Sequence, residues 1–256
     1  MMLKLSSLTR TEALTLTRPE GNLKAAICLS HLPDNLPLDG IEEVLHDQEA
    51  VYYKTLKFER RQRSYLIGRY TAKKAVAALV QLGDLRNIII EQGIFSQPVV
   101  RCGDERNIQV SITHAEEIGA AIAFPEAHPM GIDLQEINVK RRAVIESQAT
   151  EVEKEFVKSL PCPYDMLLTL LWTAKEALSK VLKTGMMSPF TIFEMSAVEM
   201  QDDLFVGCFR NFAQYKTLSF EIDGHVCSIV YPQKTEIDID VRAFREAHGA
   251  LKSLNA

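Results

Sequence analysis

Apolar positions change period several times along this chain, and each change marks an element. The run LKAAICL at 23–29 is almost continuously apolar, which predicts a buried strand. Residues 1–21 alternate apolar positions with Ser, Thr and charge, the pattern of a strand or a loosely tied arm. A turn with three breakers and two acids (HLPDNLPLDG) follows, and 41–80 then take helical spacing, with a break expected near Thr55–Phe58. Four short runs at 87–91, 98–101, 108–113 and 118–124 read as strands between Gly, Pro, Asn and Asp turns. Residues 132–137 predict another strand and 141–160 helical material, broken by Pro161-Cys162-Pro163. A long helix is predicted over 165–183. Strands follow at 190–200, 204–209, 216–222 and 225–231, then a short amphipathic helix at 238–256.

Both halves thus run strand, helices, strands, and a repeat check sharpens this. The segment Tyr70–Ala75 (YTAKKA) matches Trp172–Ala177 (WTAKEA) at an offset of 102. At the same offset Glu49 meets Glu151, and His31 meets Asp133. A duplication predicts two related halves facing each other across a cleft. The copies differ where chemistry would sit, with Lys74 against Glu176 and His31 against Asp133. Positive charge in one half and carboxylates in the other suit an anionic ligand with a divalent cation.

On the long helix, Leu171, Ala174, Leu178, Val181 and Leu182 make an apolar stripe, while Lys175, Glu176, Ser179, Lys180 and Lys183 fall opposite. Glu176 and Lys180 share a face. Taken alone they read as a solvated pair contributing about 0.2–0.5 kcal/mol. The short strand Gly131-Ile132-Asp133-Leu134 changes that reading. A strand carboxylate facing a helix Glu can hold Mg²⁺ with part of its water shell open to a phosphate. His114, ending the strand Val110-Ser111-Ile112-Thr113-His114, could give a phosphate a hydrogen bond or a charge. The first helical region carries Arg60, Arg61, Arg63, Arg69, Lys73 and Lys74, either a solvated face or an anion site. Trp172, on the apolar side, reads as core.

Composition narrows the partner classes. Net charge is −5 and the pI about 5.8, which disfavours a sequence-independent nucleic-acid binder. Five scattered cysteines without a C-x-x-C suggest neither a disulfide framework nor a zinc site, and point to a reducing compartment, the cytoplasm. The opening residues lack the apolar core of a signal peptide, and no run of 18 apolar residues would span a membrane.

Four segments together resemble the 4′-phosphopantetheinyl transferases, in particular the larger surfactin-synthetase-activating type. Arg63-Ser64-Tyr65-Leu66-Ile67-Gly68-Arg69 is similar to the first-half helix segment that helps bind coenzyme A. Ser111-Ile112-Thr113-His114 is similar to the family's N-x-S-H turn at the phosphates. Gly131-Ile132-Asp133 resembles the G-[IV]-D strand, and Trp172–Lys180 matches W-x-x-K-E-[AS]-x-x-K throughout. The resemblance covers roughly residues 58–183 and implies an α+β pseudodimer. Each half, 1–125 (coenzyme A phosphates) and 126–256 (metal and catalysis), would be a small mostly antiparallel sheet packed with helices.

The resemblance implies transfer of 4′-phosphopantetheine from coenzyme A to a serine of an acyl or peptidyl carrier protein, with release of 3′,5′-adenosine bisphosphate. Asp133 and Glu176 would hold Mg²⁺, with Gln135 at a third position where many members have Glu. Lys180 would touch the phosphates, and Glu176 would take the serine proton. Arg60, Arg63, Ser64, Thr113 and His114 would hold the adenosine 3′-phosphate and the pyrophosphate. Lys175 fits a structural role as well as a catalytic one. Besides Gln135, Gln97 replaces the Lys of the family's G-K-P, and Ser111 stands where Asn is usual. Gln135 and Gln97 motivate a second reading, a non-catalytic relative holding coenzyme A or a carrier. A metal-dependent phosphohydrolase is a third, with no second carboxylate pair to support it. The expected partner is a carrier protein with a helical docking face at 139–160, and the expected state is a monomer.

Overall fold

β1 (Thr9–Arg18) and β2 (Gly21–His31) form an antiparallel hairpin running from Thr9↔Ser30 to Arg18↔Gly21. Its turn places Gly21 at φ +133°, a conformation that only glycine adopts freely. Here β2 is the predicted buried strand, lengthened at both ends. The computed structural model describes residues 9–34, 38, 40–103 and 107–253, so the first eight residues of the expected arm, part of the following turn and the last three residues of the tail lie outside the described residues.

The expected helical break is present. α1 (Asp47–Tyr53) ends before α2 (Glu59–Val80) begins. The side chain of His46 and the Glu49 carboxylate form a capping box on α1. α2 ends at Gln81, whose left-handed backbone lets the Leu82 N–H donate to Ala77 O at 3.0 Å. β3 (Ile88–Gln92) and β4 (Pro98–Cys102) form a two-stranded sheet. β5 (Ile108–Ala115) and β6 (Ile118–Pro125) make a hairpin that pairs with β2. The first unit's five-stranded sheet has the order β12-β1-β2-β6-β5, where β12 is Glu236–Ile237. α6 (Val241–Ser253) packs on β1 and β2.

The second unit is His128–Thr235. β7 (Gly131–Glu136) leads through a single 3₁₀ turn to α3 (Arg142–Ser147) and α4 (Glu151–Lys158). The long helix α5 (Tyr164–Leu182) follows, then β8 (Met195–Gln201), β9 (Leu204–Phe209), β10 (Tyr215–Ile222) and β11 (His225–Pro232). The sheet order is β7-β11-β10-β9-β8, all antiparallel. One expected strand needs correcting. Its first residues, Phe190–Phe193, are a 3₁₀ turn after Pro189, with Phe190 and Phe193 turned into the core. Residues 236–253, grouped with the second half by the sequence, are packed in the first unit, because β12 completes the sheet at β1.

The two units share a plan. In each, the strand before the helices pairs with the last strand, which pairs with the one before it. Each also buries one Lys–Glu pair. Lys73 pairs with Glu49 and donates to Val44 O at 2.8 Å. Lys175 meets Glu153 at 2.7 Å and donates to Gln148 O at 2.9 Å. Each glutamate caps its own short helix and accepts from a strand N–H, Ile90 at 3.0 Å and Met195 at 2.8 Å. The counterpart of Glu49 is therefore Glu153, not the Glu151 reached by the constant offset. A similar slip affects His31. Thr71 reaches Ser30, paired with Gly119, whereas Thr173 reaches Ser228, paired with Asp133. Ser30 thus stands where Asp133 stands, and His31, one residue on, belongs to the opposite strand face.

Helix α5 lies close on β7. A Cβ added at Gly131 would fall 2.1 Å from Ala177 O, which is backbone and cannot rotate away. Gly131→Ala is expected to lower stability by about 1–3 kcal/mol, read as a lower urea midpoint at unchanged m-value.

Candidate functional site

In the second unit, strand alternation puts Asp133 on the β7 face that also carries Ser228 of β11, its direct cross-strand partner. Ser228 bonds Thr173 of α5 at 2.7 Å, so this is the face against the helix. From α5, Lys180 reaches down with its Nζ donating to Asp133 Oδ1 at 2.7 Å and to Ile132 O at 2.8 Å. Glu176, one turn earlier, is half-buried. Burial pushes its carboxyl above the usual carboxylate range, the charge of Asp133 pushes it further, and Lys180 and the Ser179 hydroxyl pull it back. The structure thus brings together Asp133, Glu176 and Lys180. Gln135, two residues along the same strand, lies on the Asp133 face and is half-buried.

Among the described residues no group of three or more His, Cys, Asp and Glu side chains is placed to hold a metal ion. Two neighbouring carboxylates, with the Asp133 charge raising the proton affinity of Glu176 and an amide on the same strand face, still form a hard-oxygen donor set. Two carboxylates plus water are a common Mg²⁺ environment, so the residues fit. The fit has a measurable consequence without any turnover. Because the Glu176 pKa is raised in the folded state, its contribution is fully present below the unfolded carboxylate pKa and is lost as pH rises through the folded value. Glu176→Gln should therefore melt above wild type in EDTA at pH 8, and the difference should shrink toward pH 5. Added Mg²⁺ should raise the wild-type melting temperature and leave the variant unmoved.

The Lys175 ammonium is buried against Glu153. Burial lowers its pKa, with the Glu153 charge opposing. Trp172 is half-buried at the core's edge, 4.9 Å from the Phe190 ring, with the Arg141 guanidinium 5.8 Å from its own.

In the first unit a cavity of about 490 Å³ is lined by Ser64 and His114, together with Arg61 and Arg69. His114 Nε2 and Ser64 Oγ are 2.5 Å apart. The other first-half candidates stand elsewhere. Arg60 is exposed and does not line the cavity. Arg63 pairs with Glu59 at 3.1 Å and donates to Pro33 O at 3.1 Å. Thr113 is buried on the β5 face opposite Ile112 and His114. Gln97 accepts the Phe95 N–H on Oε1 at 2.9 Å and so braces its own turn. The sequence flagged Arg61 and Arg69 only within a basic cluster. Their spacing with Ser64, Tyr65 and Gly68 on one helix face was the available signal. Lys73 of the same cluster is buried.

Residues 129–230 match the model of the 4′-phosphopantetheinyl transferase superfamily, a stretch that includes Asp133, Glu176 and Lys180. No protein of curated function matches the sequence significantly. Among solved structures, a holo-(acyl-carrier-protein) synthase from Bacillus anthracis str. Ames in complex with CoA (3′,5′-ADP) is 19% identical. That match covers 45% of this chain and 96% of the other, with a TM-score of 0.31. Thermotoga maritima holo-[acyl-carrier-protein] synthase (AcpS) is 15% identical over 48% of this chain and 69% of the other, with a TM-score of 0.33. Those scores are low, and the functional reading rests on the family match and the site residues.

Proposed function

We propose, from the match of residues 129–230 to the model of the 4′-phosphopantetheinyl transferase superfamily, that this chain moves 4′-phosphopantetheine from coenzyme A to a serine of a carrier protein. The observation that carries this is the Asp133–Glu176–Lys180 cluster inside the matched residues. Asp133 and Glu176 would hold Mg²⁺, with Gln135 offering a neutral amide oxygen or leaving its place to water. Bound there, the ion would offset charge developing on the leaving phosphate.

The protein's own groups supply the rest. Glu176, with its proton affinity raised, suits the role of base for the serine hydroxyl. The serine oxygen bonds the phosphorus bearing pantetheine, the phosphoanhydride bond breaks, and 3′,5′-adenosine bisphosphate leaves. Lys180, already aimed at Asp133, holds positive charge beside the phosphates. The partner class is an apo acyl or peptidyl carrier.

A mass-shift assay with coenzyme A, Mg²⁺ and a panel of apo carriers tests this. Gain of the phosphopantetheine mass on a carrier serine, absent in EDTA, is the expected result. Coenzyme A binding without transfer to any carrier would overturn it in favour of a non-catalytic relative. Release of phosphate from simple esters would overturn it in favour of a hydrolase.

A further inference from the structure

Within the second unit, a chain of buried hydroxyls runs beside Asp133. Thr217, Ser219, Ser228 and Thr173 are all buried. Ser219 is the cross-strand partner of Ser228, and Ser228 of Asp133, so these three stand in one row across β10, β11 and β7. Thr217 Oγ1 lies 3.3 Å from Ser219 Oγ, Ser219 Oγ 2.7 Å from Ser228 Oγ, and Ser228 Oγ 2.7 Å from Thr173 Oγ1. The chain has one direction. A hydroxyl carries a single proton, and Thr173 gives its own to its helix, to Thr169 O at 3.0 Å and Leu170 O at 3.1 Å. Thr173 therefore accepts from Ser228, Ser228 accepts from Ser219, and Ser219 accepts from Thr217.

The first unit carries the same helix-to-sheet bond from the neighbouring strand. Thr71 donates to Ile67 O at 2.6 Å and so accepts from Ser30, which lies on the strand before the helices. Opposite Ser30 the last strand has Gly119, where a Cβ would fall 2.6 Å from Thr71 Oγ1. In the second unit the serine is on the last strand, and Asp133 takes the place of Ser30. With the bond on the adjacent strand, α5 stays fastened while the β7 position facing it is open to a carboxylate. Two contacts then hold α5 on this sheet: Thr173 on Ser228 and, one turn along, Ala177 against Gly131. One contact would let the helix roll about it, whereas two along its axis fix its roll and its height. Glu176 lies between them in sequence.

From this we infer that the Thr173–Ser228 bond is a positioning device, which sets where Glu176 stands against Asp133 and so the affinity of that pair for a divalent cation. The inference rests on the reading of Asp133 and Glu176 as the groups that hold the ion. Thr173 and Ser228 act through Glu176 and Asp133, and neither touches the reacting atoms.

The test is titration of Mn²⁺, standing in for Mg²⁺, into the full chain without substrates, read from the electron-spin signal of the free ion. Thr173→Val keeps the shape and removes the acceptor, and it should bind Mn²⁺ about 10-fold more weakly, within the usual 10–100-fold effect of losing a group that orients a metal holder. Ser228→Ala should weaken binding comparably, which keeps the question open to measurement if Thr173→Val does not fold. Thr173→Ser retains the hydroxyl and should bind as wild type does. Glu176→Gln should bind least, which ties the signal to this site. Thr71→Val removes the matching bond in the first unit. It should lower the urea midpoint as Thr173→Val does, and leave Mn²⁺ affinity unchanged. In turnover, the rate lost by Thr173→Val should return at high Mg²⁺ with KM for coenzyme A unmoved. A purely structural hydroxyl would lower the urea midpoint and leave Mn²⁺ affinity as it is, and that result overturns the inference. So do an equal loss of Mn²⁺ affinity in Thr71→Val and a wild type that holds no Mn²⁺. A wild type that binds Mn²⁺, with the expected losses in the variants, yet modifies no carrier would sink the transferase reading and leave this one standing.

Discussion

Glu176→Ala is expected to lose at least about 10³-fold in transfer rate while its unfolding midpoint holds or rises. The first half of that expectation follows from the two tasks the proposed chemistry gives one carboxylate. A positioned general base contributes about 10²–10⁴-fold, and removing a metal-holding group adds to that loss. The second half follows from the structure. Burial and Asp133 both disfavour the Glu176 charge, so the fold gains nothing from it in the absence of a cation. Asp133→Ala should lose activity to a similar extent but also lose stability. It leaves the Lys180 ammonium without its carboxylate at 2.7 Å. Single-turnover mass spectrometry and a urea melt on the same preparations separate the two effects. A Glu176→Ala protein retaining a tenth of wild-type rate would remove Glu176 from the mechanism.

Glu153→Ala is expected to destabilise the protein by about 3–5 kcal/mol, the usual consequence of stranding one member of a buried ion pair. Glu153 is 0% and Lys175 1% exposed. The substitution strands the Lys175 ammonium in a dry interior, leaves the Met195 N–H without its acceptor and undoes half of the α4 capping box. Lys175→Met should be comparably damaging, because it leaves the carboxylate alone. The double variant Glu153→Leu/Lys175→Met should recover most of the loss, since two apolar groups of similar volume leave nothing charged to strand. Urea unfolding of wild type, Glu153→Leu, Lys175→Met and the double variant closes the cycle, and additive single losses in the double variant would show that the pair is not coupled.

The long helix was legible because one face of LLWTAKEALSKVLK is apolar at helical spacing and the other carries its charges. The Asp133–Glu176–Lys180 cluster was legible because a strand and a helix residue each carried a motif. Lys175 was ambiguous for a physical reason: a lysine on the polar side of a helix normally reaches water. Only the fold shows α4 covering it with Glu153. The same limit hid Lys73, taken as part of a basic face and found buried. The cavity arginines were seen as charge but not as an orientation, because helical spacing gives a face and not what opposes it. The repeat was found in the helices, where residue count sets the match. It slipped by one at His31 and by two at Glu151, because turns of different length separate the elements. Phe190–Phe193 misled because three apolar residues in four fit a strand as well as a turn anchored in the core.

The pairing of β1 with β12 sets an order on folding. Residues 16 and 237 are partners in one sheet, so the first unit's sheet stays one strand short until Ile237 has been made. The second unit, by contrast, is one continuous segment. On a ribosome it can finish first, through local pairings with short loops, while β1 waits with an open edge. The first unit is then the late and vulnerable one, and a chain stopped before Glu236 would expose that edge to other strands.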